Sequence, residues 1–528
     1  MKVVNRVLSA AAILTSWCFY AAADEPALTG LDAQIKNTLS DFAIPGLAIG
    51  IVANGKVLKT QGYGLRDIKN RLPATADTQF SVGSTTKAFT SFLIATLVDE
   101  GKLDWDLPVK HYLPQWQLAD VYATNHVNLT DMLSHRTGLP RHDLLWIGFP
   151  ELTGAQLVKK LPYLSLSKEL RQRYQYNNLM YGMAGYIAEQ VTGTSWSNLV
   201  QQRILNKLEM NNTSLSYSQM LATNNYAQPY NLIGDSLTQV PQKTNIDSVV
   251  RPAGGIHSSV KDMSKWMLML LNEGKYPSTE GQQSLIKRRS LAKLQVPHTP
   301  ISSRLSKHQS PRSYGLGWDI ETVDGFYQVY HGGNIDGFTA SVITYPQQGI
   351  GVVVLVNKGM SDIPYNLAMD VSGRLLGNGL SGEPRNYVAE ALQQKLKGHN
   401  PHEHHGPAAM TRPAVVLDAP FSFERYAGRY RHPAYGELTI SVVAADGKAD
   451  VGQLLQIQYG SLSESFDHWH FNTFIGDADQ LNSYFGGEEM TFNVNAKGEI
   501  VGVTVPFEAR LGGIEFTRLV PVVIQTDH

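Results

Sequence analysis

Residues Gln79 to Thr90 read QFSVGSTTKAFT, and the architecture of this 528-residue chain turns on them. Phe80 and Val82 are apolar, Gly83 lets backbone approach closely, and Ser84 then opens an apolar helical run of Ala88, Phe89, Phe92, Leu93, Ile94, Leu97 and Val98. On a helix, residue i+3 shares a face with residue i, so Lys87 is expected beside the Ser84 hydroxyl. The start of a helix also aims backbone N–H groups at a developing oxyanion. A serine hydroxyl is a poor nucleophile until a neighbour takes its proton. A lysine does so only when burial or nearby cations depress its pKa. Ser-x-x-Lys alone is weak, since it starts five times here, at Ser84, Ser165, Ser258, Ser284 and Ser290. Context separates them: Ser165 precedes a polar, basic stretch, and Ser284 and Ser290 flank Lys287, Arg288 and Arg289, which read as solvated surface.

Working outward, Tyr176-Asn177-Asn178 stands just before a helical pattern from Leu179 to Val191 that Gly193 stops. A phenol relays protons, and the amide of Asn178 is suited to holding a substrate carbonyl. His331-Gly332-Gly333 follows Val329-Tyr330 and precedes a strand pattern from Phe338 to Tyr345. Glycines at that point let a strand edge lie close to a substrate, with Gly333 beside the N–H of Asn334 as an oxyanion donor. Leu47 to Val52 and Val57-Leu58 flank Asn54-Gly55, a strong hairpin signal. Gly349 to Val356 gives a further strand. Strands at both ends with helices between them indicate an α+β domain.

Together, Ser84-Thr85-Thr86-Lys87, Tyr176-Asn177-Asn178 and His331-Gly332-Gly333, in this order, resemble the three active-site motifs of the penicillin-binding protein and serine β-lactamase superfamily, and of class C β-lactamases in particular. Similar family stretches are LSHRTGLP at Leu133–Pro140, YGMAGYIAEQVTG at Tyr181–Gly193, PAGG at Pro252–Gly255 and YGLGW at Tyr314–Trp318. The likeness spans roughly residues 28 to 380. It implies an antiparallel sheet flanked by helices, beside an all-helical region, with the site between them. It also implies that Ser84 is acylated, that Lys87 and Tyr176 share the base and acid work, and that Asn178 orients substrate. His331 departs from the lysine that β-lactamases carry there. A histidine near neutral pH lacks the fixed charge that would meet a substrate carboxylate, which puts efficient β-lactam hydrolysis in doubt.

From about Lys395 to Pro420 the pattern fades into Pro, Gly and a His399, His402, His404, His405 cluster, read as a solvated linker rather than a metal site. Residues 421 to 522 then alternate short apolar runs with turn signals, as a small all-β barrel would. FERYAGRY at Phe423–Tyr430 and His468-Trp469-His470-Phe471 resemble the lipocalin-type domain that some superfamily members append. At the other end, Lys2 and Arg6 precede an apolar run from Val7 to Tyr20 and then Ala21-Ala22-Ala23. That is a secretory signal pattern, too short to span a bilayer, with cleavage expected before Asp24 and export to the periplasm or medium. The expected organisation is a signal peptide at 1–23, a serine hydrolase domain at 24–394, a linker at 395–420 and an all-β domain at 421–528. Cys18 is the only cysteine, so cleavage would leave no thiol nucleophile and no disulfide.

Forty-five basic and 46 acidic residues give a formal net charge of -1, so no nucleic-acid partner is expected. Neither a metal nor an organic cofactor is called for, and composition says nothing of oligomeric state. There is no Gly-x-Ser-x-Gly elbow of an α/β-hydrolase and no clustered His-x-His-x-Asp-His of a metallo-β-lactamase. The expected function is hydrolysis of a small amide or ester, a D-amino-acid peptide, ester or β-lactam, through a Ser84 acyl-enzyme. The rival from another class is a slowly acylated or non-catalytic binding protein that senses peptidoglycan fragments. Arg141, His142 and Asp143 either line the substrate cleft or form an ordinary polar loop.

Overall fold

A computed structural model describes residues 26–234, 236–241, 244–302, 305–377, 385–397, 415–445, 452–477 and 484–519. The signal pattern and the histidines of the linker lie outside the described residues. The first domain is built on a nine-stranded antiparallel sheet whose centre is formed by both ends of the domain. Strand Gly46–Ala53 pairs with Lys56–Asp67 on one side and with Ile350–Val356 on the other, and the latter pairs with Phe338–Tyr345. The Asn54-Gly55 turn has φ of 53° and 73°, the left-handed pair a tight hairpin requires.

Both faces of these central strands are buried, which is why they read as unbroken apolar runs rather than as alternation. Leu47, Ile49, Ile51, Val352 and Val354 pack on Leu31 and Ile35 of the N-terminal helix and on Leu367 and Val371 of the helix Ile363–Leu375. Ala48, Val52, Val342, Val353 and Leu355 face the other way, onto Phe89, Phe92 and Trp266. Phe89 stacks on Trp266 at 4.0 Å. The helix Thr86–Asp99 is therefore apolar on nearly every side and passes through the middle of the domain. Helix Asn178–Thr192 ends at Gly193 in the left-handed conformation, as its sequence foretold. The Tyr387–Leu396 helix runs two residues into the stretch read as linker.

The C-terminal strands, from Gly428–His432 to Ile514–Arg518, form a closed eight-stranded barrel. Its interior is filled by Tyr426, Tyr430, Tyr459, Phe466, Phe474, Phe492, Phe507 and Phe516, all buried. Buried phenols need partners, and they have them: Tyr426 donates to Asn472 at 2.7 Å and Tyr459 to the Tyr435 carbonyl at 3.1 Å. The aromatic interior makes the barrel a packed core. His468 and His470, singled out beside Trp469, are half-buried at the edge of that core: His468 meets Phe474 edge-on at 5.4 Å and bonds the Phe471 carbonyl, and His470 accepts the Leu417 N–H.

The barrel docks on the segment Arg141–Phe149. Ser461 donates from its backbone N–H to the Gly148 carbonyl at 2.9 Å and from its hydroxyl to Ile147 at 3.2 Å. Phe149 meets Tyr459 edge-on at 5.1 Å. Gly460 has φ +54°, and a Cβ there would stand 2.1 Å from the Gly148 carbonyl oxygen. Gly460→Val is expected to lose about 2–6 kcal/mol, the sum of left-handed strain and overpacking. Gly487→Ala, at φ +77° with open space around it, should cost only about 1 kcal/mol. Urea melts of the two variants against the parent protein measure the difference; equal losses would mean that the contact at Gly460 does not hold the domains together.

Candidate active site

Gly83–Thr85 form a single tight turn that leads directly into the helix Thr86–Asp99. This places Lys87 one turn after Ser84, and Lys87 Nζ lies 3.1 Å from Ser84 Oγ. The same ammonium donates to Asn178 Oδ1 and to the Ala253 carbonyl, each at 2.9 Å. These two acceptors come from distant segments and hold two of the three N–H directions of a lysine. The third direction is aimed at Ser84, so the 3.1 Å line serves the ammonium as a donor and the neutral amine as an acceptor. Lys87 has no exposed surface. Burial, and after it the Arg141 charge, hold its pKa well below the usual lysine range.

Tyr176 is within hydrogen-bonding reach of Ser84, and burial pushes its phenol well above the ordinary range, so it is a protonated donor at neutral pH. Lys87 Nζ sits 4.6 Å from the centre of its ring. Asn178 accepts from Lys87 and donates from Nδ2 to Asp143 at 3.1 Å. Only its second amide proton is left for a substrate carbonyl, which narrows the expectation from the sequence.

The strand Phe326–Ile335 carries His331, Gly333 and Asn334. It pairs with Asp319–Val323 only as far as Tyr330, so beyond that residue this edge is free to face the Ser84 turn. The approach is close: a Cβ on Gly333 would lie 2.0 Å from the Val82 oxygen and 3.1 Å from the Ser84 nitrogen. A Cβ on Gly83, at φ +52°, would lie 3.0 Å from the Asn334 nitrogen. The backbones of residues 82–84 and 333–334 therefore run in direct contact, which brings the amides of Ser84 and Asn334 close together. His331 is buried, donates from Nδ1 to the Gly332 carbonyl at 2.6 Å and accepts at Nε2 from the Tyr314 hydroxyl at 2.8 Å. Burial first, and then Lys87, bring its pKa down to about 3, so the ring is neutral and supplies no fixed charge.

The structure thus brings Ser84, Lys87, Tyr176, Asn178, His331, Gly333 and Asn334 into one site. It also shows groups to which the sequence reading gave no role. His135, at φ +60°, accepts the Asn177 N–H at 3.1 Å and lies 4.4 Å from the Tyr176 ring, so it sets the backbone that carries the phenol. Its loop is locked by the wholly buried Asp131, which takes bonds from Arg136 at 2.7 Å and Arg171 at 2.8 Å. Ala253 contributes through its carbonyl, and Tyr314 through His331. Except for Arg171, these lie in or beside the stretches LSHRTGLP, PAGG and YGLGW, which were the available signal. Of the other Ser-x-x-Lys serines, Ser165 and Ser284 are exposed as expected. Ser290 is a correction: it is buried and donates to Asp99 at 2.6 Å, because its helix packs on the end of Thr86–Asp99. Among the described residues no group of three His, Cys, Asp or Glu is placed to hold a metal ion, and no helix is long and apolar enough to cross a membrane.

Residues 31–365 match the protein-family model described as Beta-lactamase, and residues 413–518 match one described as a domain of unknown function (DUF3471). Over 428 residues the chain is 32% identical to the unguisins hydrolase ungD' of Aspergillus campestris, covering 77% of this chain and 76% of that protein. It is 26% identical over 349 residues to the protein flp of Staphylococcus aureus, covering 63% of this chain and 64% of flp. Among solved structures, the octameric penicillin-binding protein homologue from Pyrococcus abyssi superposes with a TM-score of 0.55 at 21% identity, over 90% of this chain and 98% of that one. A class C β-lactamase gives a TM-score of 0.54 at 22% identity, over 68% and 98%. These two likenesses bear on the fold alone. The expectation of a mixed helix-and-sheet fold of this type followed by a barrel is met in full, and the chain is a member of the β-lactamase family of serine hydrolases.

Proposed function

We propose that this protein hydrolyses a small amide or ester substrate, a D-amino-acid peptide, ester or β-lactam, through an acyl-enzyme on Ser84. The observation that carries the reading is the buried Lys87, tied by Asn178 and Ala253 so that its remaining direction meets Ser84 Oγ at 3.1 Å. In acylation Lys87 takes the hydroxyl proton as Oγ bonds to the scissile carbonyl carbon. The carbonyl oxygen gathers charge beside the amides of Ser84 and Asn334. Tyr176 gives its proton to the departing nitrogen or oxygen as the old bond breaks, and is reprotonated through Lys87. Water then attacks the ester carbon as its proton passes by way of the Tyr176 hydroxyl to neutral Lys87, and Lys87 returns that proton to Ser84 Oγ as the ester bond breaks and the acid product leaves. The relative named as an unguisins hydrolase supports turnover over mere binding. Export through residues 1–23 and action outside the cytoplasm belong to the same proposal.

Intact-mass spectrometry with a fluorescent penicillin, a p-nitrophenyl ester and a D-alanyl peptide tests this directly. Adduct or turnover is expected with at least one probe and should vanish in Ser84→Ala. Activity that survives Ser84→Ala would refute the nucleophile, and silence with all three would favour the slowly acylated sensor of peptidoglycan fragments. Tyr176→Phe is expected to slow the acylation burst by about 10²–10⁴-fold for amides and far less for p-nitrophenyl esters, because nitrophenolate leaves without a proton. Equal slowing of both bursts would take the general-acid role away from Tyr176. His331→Lys should raise the rate of β-lactam acylation relative to ester hydrolysis by adding a fixed charge; an unchanged ratio in stopped-flow assays would sink that account.

A further inference from the structure

Arg141 and Asp143 point into the site while His142, between them, points away. His142 has φ +47°; its N–H donates to Glu508 Oε2 and its Nδ1 accepts from the Tyr435 hydroxyl, both at 2.8 Å. Glu508 and Tyr435 belong to the barrel, so the second domain sets the orientation of this loop. On the inward side, Asp143 Oδ1 accepts from Asn178 and, at 2.8 Å, from Trp146 Nε1, while Oδ2 accepts from Arg141 Nε at 2.5 Å. An unbroken relay therefore runs from Arg141 through Asp143, Asn178 and Lys87 to Ser84.

Arg141 is the only member of that relay at the mouth of the site, with 46% of its side chain exposed. Its guanidinium lies 5.2 Å from the centre of the Tyr176 ring, the ring on which Lys87 also rests. Nε is committed to Asp143, but among the described residues neither Nη1 nor Nη2 has a hydrogen-bond partner. A guanidinium anchored at Nε with its terminal nitrogens open presents parallel donors that fit a carboxylate. On the His331 side the ring itself is neutral, Lys87 is buried, and Arg312 is paired with Asp319 at 3.4 Å. Tyr176 is the proton donor to the departing group, so a charge held above its ring belongs to the fragment that leaves.

We infer that Arg141 is the specificity-determining residue of this site: its open Nη edge binds a carboxylate on the leaving fragment of the substrate, in a position set by the barrel through His142, Glu508 and Tyr435. The inference rests on the acyl-enzyme reading above and narrows its substrate class to anionic amides and esters.

Two matched pairs test this on the full chain: an N-acyl-D-alanyl-D-alanine peptide against its C-terminal amide, and 3-acetoxybenzoate against 3-acetoxybenzamide. In each pair only the charge on the leaving fragment differs. The parent protein should favour the anion in kcat/KM by about tenfold to a hundredfold, the range of a charge-assisted hydrogen-bond pair. Arg141→Gln should remove at least tenfold of that ratio, mainly through KM, and Arg141→Lys, which keeps charge but loses the fork, should restore only part of it. Thermal unfolding checks each variant; should Arg141→Gln not fold, the ratio of Arg141→Lys decides alone. A ratio that stays the same in a folded variant, with Ser84-dependent turnover intact, overturns the role of Arg141 and leaves the acyl-enzyme standing. Absence of Ser84-dependent turnover with all four substrates overturns both.

Discussion

A lysine with no exposed surface and, among the described residues, no carboxylate in direct contact is expensive to keep charged, and the rest of the site follows from how that cost is met. Lys87 is surrounded by neutral acceptors, the Asn178 amide, the Ala253 carbonyl and the Ser84 hydroxyl, rather than by a counter-ion. The arrangement keeps its hydrogen bonds while leaving the proton loosely held. A carboxylate in place of Asn178 would give a stable buried ion pair and a useless base. Asp143 is instead kept one residue further out, behind the amide, where it orients Asn178 without contact to Lys87.

Three separate parts of the fold must converge for this to hold. Helix Thr86–Asp99 supplies Lys87 because its apolar surface buries it between sheet and helices; helix Asn178–Thr192 supplies its first residue; the one-turn helix Arg251–Gly254 supplies a carbonyl. The edge of strand Phe326–Ile335 then closes the fourth side, where glycine at 333 allows backbone to touch backbone. Two buried histidines are kept neutral by burial, and so they act as fixed dipoles: His135 beneath the Tyr176 segment and His331 against Tyr314.

The barrel is more than an appendage to this arrangement. Its interior is filled by buried aromatic side chains, and its contacts with the first domain include the loop that bears Arg141 and Asp143. A buried glutamate, Glu508, accepts a hydrogen bond from a backbone N–H of the first domain, which ties the two domains at this loop.

Local information was enough for much of this. The spacing of Ser84 and Lys87, the Asn54-Gly55 hairpin, the doubly buried central strands and the turn-punctuated barrel all follow from periods and turn chemistry within a dozen residues, so they were legible in the amino-acid sequence. Resemblance ordered the three motifs into one site. What residue patterns could not give are contacts across hundreds of positions: the tie of Lys87 to Ala253, the burial of Ser290 against Asp99, and the meeting of His142 with Glu508, 366 residues away. Arg141-His142-Asp143 was an ordinary polar loop or a cleft wall by sequence, and only the docked barrel, by taking His142, turned its neighbours toward Ser84. Side-chain identity and local spacing determine which chemistry is available; which groups are desolvated together, and so which pKa values move and which charges stay open to a substrate, is decided by long-range packing.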